Sequence, residues 1–482
     1  MYFLAPTDRR ILNQIGMTVN KMGSAADLTF VSITGTTLDK VNAKAMRAHT
    51  TRANFARRRR RLERDYAEQK ESAARFGSLR VGEDGPNTGR GLVVDIQHPI
   101  FSHPGLGYRL NRKDAFFIHH LTKAMEKLHL VTDIPESDTA FAVIQSDWAR
   151  FLPDPTMLDV SLYFARHVYA ARRQHRSVQL ILDTYKGRAI QSVRERLNHG
   201  PDGVTDSVVA AVLILAVLDQ GLGNVEAWKI HISGLLQTLA VRSRSSHDES
   251  DHWISTAVPR TAMQGLLLLA RHDVTVLNTV EKTGMFDTMF SAPAKKAAYL
   301  ILENAEQVNA MLQTYAPNKQ FRCGERSRLN RVIESLDTAI QLDRTSYPRE
   351  AFLTAIALSI KVFLEIMLQC TKDTEDGPAN TAIQLMEVFQ RPEQQLPSSL
   401  ALCSSLESQF WQTMMGIIAA PDDRTKSFFT LRLNRIIVAL ALTSWHDASV
   451  ILQRYFWVPS IFSGPGYHIF SEVLHAQGYT DV

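Results

Sequence analysis

Apolar residues recur at Leu353, Ile356, Ala357, Ile360, Phe363, Leu364 and Met367 in steps of three and four, while Ser359, Lys361 and Glu365 fall on other faces. That period predicts an amphipathic helix. The same stepping appears at Leu433, Ile436, Ile437 and Leu440, and at Trp228, His231 and Leu235, whereas sustained strand alternation is scarce after Gly91. The pattern predicts an all-α fold: an irregular helical array of packed helical hairpins, preceded by a poorly packed basic N-terminal segment. The longest apolar run, Val208 to Leu218, is bounded by Asp206 and Asp219. It falls short of the ~20 residues needed to cross a bilayer and reads as a buried helix. A second run, Ile436 to Leu442, is shorter still.

Polar stretches rich in turn formers punctuate these helices: Gly82 to Gly91, Gly200 to Asp206, Arg242 to Asp251, Thr371 to Asn380 and Arg391 to Ser399. They read as connections. The first separates residues 1–90, basic and partly disordered, from residues 91–482, a helical body. No fixed-period repeat of a named solenoid is present.

Composition sharpens this division. Hydrophobic residues make up 45% of the 482 and charged residues 21%, which is ordinary globular usage and excludes wholesale disorder. Fifty-four Lys and Arg against 49 acidic residues leave only +5, and the excess is local. Between Lys40 and Arg64 stand ten basic residues and one acidic one, Glu63, including the unbroken run Arg57, Arg58, Arg59, Arg60 and Arg61. Like charges one turn apart cost about 0.2–0.5 kcal/mol on a helix, a penalty that phosphate, an acidic partner or an import receptor offsets. The run is therefore the candidate for nuclear localisation and nucleic-acid contact. It lacks a heptad zipper or zinc module to orient it, so base-specific reading is not expected.

Cys323, Cys370 and Cys403 lie too far apart for a disulfide framework or a zinc-ligand set. The adjacent His119 and His120 point about 100° apart on a helix and cannot serve one ion as an i, i+4 pair would. No metal or cofactor is expected. Gly105-Leu106-Gly107 is a bare G-x-G without a βαβ context, and no Walker-type loop or nucleophile elbow occurs. Asp147, Asp154 and Asp159 read as caps and loop residues rather than an acid–base pair. An enzyme is not indicated. The residues Met1 to Arg10 lack the order of a secretory signal.

Three stretches resemble the fungal-specific transcription factors, the zinc-cluster regulators. Phe30-Val31-Ser32-Ile33, followed by Ala45-Met46-Arg47-Ala48-His49 and the arginine run, is similar to a front segment of that family, with Ser32 where the family has Asn. Asn224 to Leu235, containing Glu226, Trp228, His231, Gly234 and Leu235, resembles its E-A-x-x-H-x-x-G-L helix, although Arg242-Ser243-Arg244 replaces the R-G-G turn that follows there. Val450 to Trp457 resembles its closing R-Y-x-W-like helix. Together these stretches span roughly residues 28–475.

The resemblance implies an all-α regulatory region, nuclear, acting through contacts with other regulatory proteins and a small effector, as a homo- or hetero-dimer. Family members read DNA through a six-cysteine zinc cluster, and no cysteine precedes Cys323, so specific DNA binding is not carried over. Nucleic acid is expected to bind only weakly and non-specifically, and a membrane not at all. Trp228, His231 and Leu235 share one helical face and are expected to pack rather than touch a ligand. A helical interaction scaffold, or an enzyme of another type, is the rival reading.

Overall fold

A computed structural model describes residues 110, 112–129, 131, 147–173, 179–242, 252–271, 276–315, 323–344, 351–369, 377–391 and 399–476. The arginine run, the front segment of the family resemblance and the Gly105 motif lie outside the described residues. Among those described, the chain is all-α, with no strand. Seventeen helices follow one another: α1 Arg112–His129, α2 Asp147–Phe151, α3 Pro155–Arg173, α4 Gln179–Leu197, α5 Asp206–Gly221, α6 Val225–Arg242, α7 His252–Ala270, α8 Val276–Thr283 and α9 Met285–Met289, then α10 Ala292–Thr314, α11 Cys323–Arg344, α12 Phe352–Gln369, α13 Gly377–Phe389, α14 Ser399–Ile418, α15 Asp423–Leu440, α16 Trp445–Gln453 and α17 Pro459–Ala476.

Neighbours in sequence pack as hairpins, α3 with α4, α5 with α6, α10 with α11, α12 with α13 and α14 with α15. Local signals set the ends. Thr205 stands in extended backbone and its hydroxyl accepts from Val208 N, capping α5, which closes on Gly223 at φ 69°. Asp422 caps α15 by accepting from Thr425 N, and Ser444 caps α16 while donating to the Asp447 carboxylate.

The run Val208 to Leu218 is buried at every position, so α5 is a core helix as its sequence predicts. Helix α12 differs from its amphipathic reading. Every residue from Phe352 to Ile360 is buried, because α10, α11, α13 and α14 cover its N-terminal half, and only the later half leaves Lys361 to reach Asp337 at 2.6 Å. Length and composition alone would let α12 cross a membrane, but 72% of it is covered by protein. The predicted connection Thr371 to Asn380 is also shorter than its composition suggests. Its last residues, Gly377 to Asn380, form the first turn of α13, where Pro378 loses nothing by lacking an N–H.

The organising element is α14. It packs against α1, α2, α5, α7, α12, α13, α15, α16 and α17, so helices from both ends of the described chain lean on it, although the α3–α4 and α10–α11 hairpins do not. Its Gly416 lets α15 approach, since a Cβ there would lie 2.4 Å from the Phe429 ring.

Candidate functional site

A helix enclosed on all sides is expected to be apolar throughout, because a polar group taken from water costs free energy unless it is bonded. Helix α14 breaks that expectation. Ser405, Glu407, Ser408, Gln409, Gln412 and Thr413 are all buried, interleaved with the fully buried Phe410 and Trp411. Within the helix, Gln409 donates to Ser405 Oγ at 2.8 Å and Gln412 to Ser408 Oγ at 3.0 Å. These i, i+4 rungs leave the outer polar atoms for partners on other helices.

On one face of this helix, Arg432 of α15 donates to Gln409 Oε1 at 2.6 Å, and its guanidinium lies 4.1 Å over the Phe389 ring. Arg432 forms no ion pair among the described residues, and its Nε is buried without a partner. Arg260 of α7, 5% exposed, sits 5.2 Å over the Phe352 ring. Burial pushes both guanidiniums down to about 10, and the charge of Arg432 further depresses Arg260. Both remain protonated at neutral pH. One turn along α7 from Arg260, Gln264 Oε1 is a buried polar atom without a partner, and one turn along α14 from Gln409 so is Thr413 Oγ1. Pro259 has no N–H to give to the helix at this turn of α7.

On the opposite face, two residues back, Glu407 Oε2 accepts from Arg454 at 2.6 Å, and Arg454 also donates to the carbonyl of Gln220 at 2.8 Å, at the negative end of α5. Burial raises the Glu407 carboxyl despite Arg454. Trp411 donates to the carbonyl of Phe456 at 2.9 Å and stacks on Tyr455, with centroids 5.7 Å apart. The segment Arg454 to Trp457 is thus not the closing helix its sequence suggests: α16 ends at Gln453. Three consecutive aromatics, all buried, must point in different directions into the core, which a helix turn followed by Pro459 does not allow.

No family model, no curated protein and no solved structure matches the chain.

Helix α6, which carries the middle motif, divides by role. Trp228 and Leu235 are buried, and Trp228 lies so close to α7 that a Cβ at Gly265 would fall 2.1 Å from its ring. Glu226 points outward and bonds Lys229 at 3.2 Å, while nothing lies within 4 Å of a Cβ placed on Gly234. His231 does more than pack. Its Nε2 stands 3.1 Å from Asp219 Oδ2, and the opposite oxygen of Asp219 accepts from Lys186 at 2.9 Å and Asn224 at 3.3 Å. Burial pushes the Asp219 carboxyl up, but His231 and Lys186 outweigh it and hold it below the usual range. Asp219 ends α5, so the sequence of α6 alone gives no sign of this pairing.

The remaining candidates take ordinary structural positions. Asp154 caps α3 by accepting from Thr156 N at 2.8 Å and pairs with Arg196. Asp159 pairs with Arg188 at 2.8 Å. His120 belongs to an aromatic cluster with Phe116 and Tyr169, its ring 6.2 Å from that of His119. Among the described residues, no three His, Cys, Asp or Glu converge as a metal site.

Proposed function

We propose that this chain is a transcription-factor-like regulatory protein whose helical body takes up a small effector and passes the effect to protein partners. One observation carries the reading: buried polar residues gather on α14, a helix against which elements from α1 to α17 pack. A ligand seated against that seam would alter several helix contacts at once, which is what a regulatory body requires. The E-A-x-x-H-x-x-G-L resemblance of α6 supports the same reading. No DNA-binding module of its own forms part of the proposal, and the partners are other regulatory proteins, with this chain as a homo- or hetero-dimer.

In this account the run Arg57 to Arg61 directs nuclear entry and supplies weak nucleic-acid affinity without base preference, because clustered guanidiniums select phosphate and not bases. A fluorescent fusion with all five arginines changed to Ala should become cytoplasmic, and duplex binding by the intact chain should fall steeply with salt. A nuclear variant fusion, or a preference above ~100-fold for one DNA sequence, would contradict the assignment.

A further inference from the structure

Six large apolar side chains stay exposed among the described residues: Ile190, Leu197, Val225, Ile230, Leu431 and Tyr467. Scattered singly, such residues need no explanation. Three of them are not scattered. Ile190 and Leu197 lie on α4 and Ile230 on α6, the two helices that one buried carboxylate joins. Lys186 of α4 reaches Asp219 Oδ1 at 2.9 Å and His231 of α6 reaches Asp219 Oδ2 at 3.1 Å, so both helices come within a side chain's length of the C-terminal end of α5. At 100° per residue, Ile190 and Leu197 stand within about 40° of Lys186, on the flank of α4 turned toward this junction. On α6, Ala227 and Gly234 stand about 40–60° from His231, and Ile230 lies one turn from each and further out. Ile230 is 70% exposed, and no atom lies within 4 Å of a Cβ placed on Gly234.

Charge selects what this face can hold. Helix α4 carries Lys186, Arg188, Arg194 and Arg196 against Asp183 and Glu195. Arg188 and Arg196 are taken by Asp159 and Asp154, but Arg194 forms no ion pair among the described residues and stands about 40° from Ile190. Glu195 points about 140° away from Ile190, Asp183 precedes Lys186 by nearly a turn, and Glu226 of α6 is taken by Lys229. We propose that this face of α4 and α6 docks an acidic amphipathic helix of a partner protein. Ile190 and Leu197 stand about 10 Å apart along the axis, the spacing of apolar residues at i and i+7 on a docking helix. Ile230 supplies an anchor on the other side of the junction, while Arg194 and the 26% exposed Lys186 meet carboxylates on the partner's flanks. A nucleic acid would use the arginine but gains nothing from three aliphatic side chains, since bases stack on aromatic rings. The protein contact of the functional proposal thereby acquires a place and a chemistry, and the inference rests on that reading.

The test is fluorescence anisotropy of a labelled helical peptide of about 20 residues, with Leu at i, i+3, i+4 and i+7 spacing and Glu elsewhere. It is titrated with the full chain carrying Ala at Arg57 to Arg61, so that the basic run cannot hold the peptide. The Glu peptide should bind at least about tenfold tighter than the same peptide with Lys for Glu. Ile230→Ser and Leu197→Ser should each weaken it about tenfold, whereas Leu431→Ser, equally exposed but on α15, should leave it unchanged. Arg194→Glu should weaken the Glu peptide and strengthen the Lys peptide. All four side chains are exposed, so the variants should keep the parent melting midpoint, and a clearly lower midpoint for Ile230→Ser would mean that the fold itself covers the residue and overturn the proposal. Equal binding of the two peptides, or an affinity indifferent to Ile230→Ser and Leu197→Ser, would also overturn it. Displacement of the bound peptide by duplex DNA would make this a nucleic-acid face instead. A dimer that Ile230→Ser turns into a monomer, with no peptide bound, would give the face to a second copy of the chain; either result sinks the acidic-helix assignment. None of these outcomes alters the nuclear and chromatin tests of the functional reading, so the two can fail separately.

Discussion

His167 shows how a single side chain couples this fold to pH. It is buried on α3 with its Nε2 3.1 Å from the Tyr163 hydroxyl, and burial together with the nearby Lys186 charge pushes its pKa from 6.5 down to about 4. Between those values the unfolded chain takes up a proton that the folded chain refuses, so stability is present above pH 6.5 and lost as pH falls toward 4. The loss is on the order of 3 kcal/mol at its limit. Buried carboxyls at Asp159, Glu365 and Glu407 are raised and act with the opposite sign in the acid range, while Asp219, held low by its partners, gives up its contribution only at more acidic pH. The comparison of unfolding free energy at pH 7 and pH 5 is therefore made between wild type and His167→Gln. The variant should lose less stability on acidification, and an equal loss would mean that His167 is not held neutral.

Some of this residue chemistry was legible in the sequence and some was not. The period of α6 turned Trp228 and Leu235 inward as expected, because helical spacing alone decides which residues share a face. The pairing of His231 with Asp219 was hidden, since the partner sits on the preceding helix. The polar seam was hidden for another reason. Ser, Glu and Gln between positions 405 and 413 read by composition as a solvated face, and only the helices packed around α14 make them interior.

Among the elements, α6 offers the clearest contrast between a residue that packs and one that does not. Truncating Trp228, 2% exposed against α7, should cost about 3–5 kcal/mol. Gly234 on the same helix meets nothing, so Gly234→Ala should be neutral or stabilising by up to about 1 kcal/mol, because a helical glycine gives up more entropy than alanine. Chemical denaturation of the two variants measures both. An unchanged midpoint for Trp228→Ala would remove the residue from the core, and a large loss for Gly234→Ala would mean that a partner covers that face. Helices α12 and α16 carry the corresponding lesson about reading elements from sequence. Periodicity located α12 and the family resemblance pointed to the end of α16, but the all-round burial of α12 comes from helices packed around it, and the break after Gln453 from three aromatics that all enter the core.

For the whole molecule, the prediction of an all-α array of helical hairpins agrees with the described residues, and its centre is a helix that the sequence did not single out. A body arranged around α14, with a basic run Arg57 to Arg61 at the other end of the sequence, fits a regulator that is recruited by partners rather than by its own reading of bases. That claim is tested most directly by genome-wide chromatin occupancy of the tagged native protein. The account predicts enrichment at discrete sites, held through partner proteins and weakened when the five arginines are changed to Ala. Uniform occupancy with no enriched sites would contradict it and leave a helical scaffold or an enzyme as the better description.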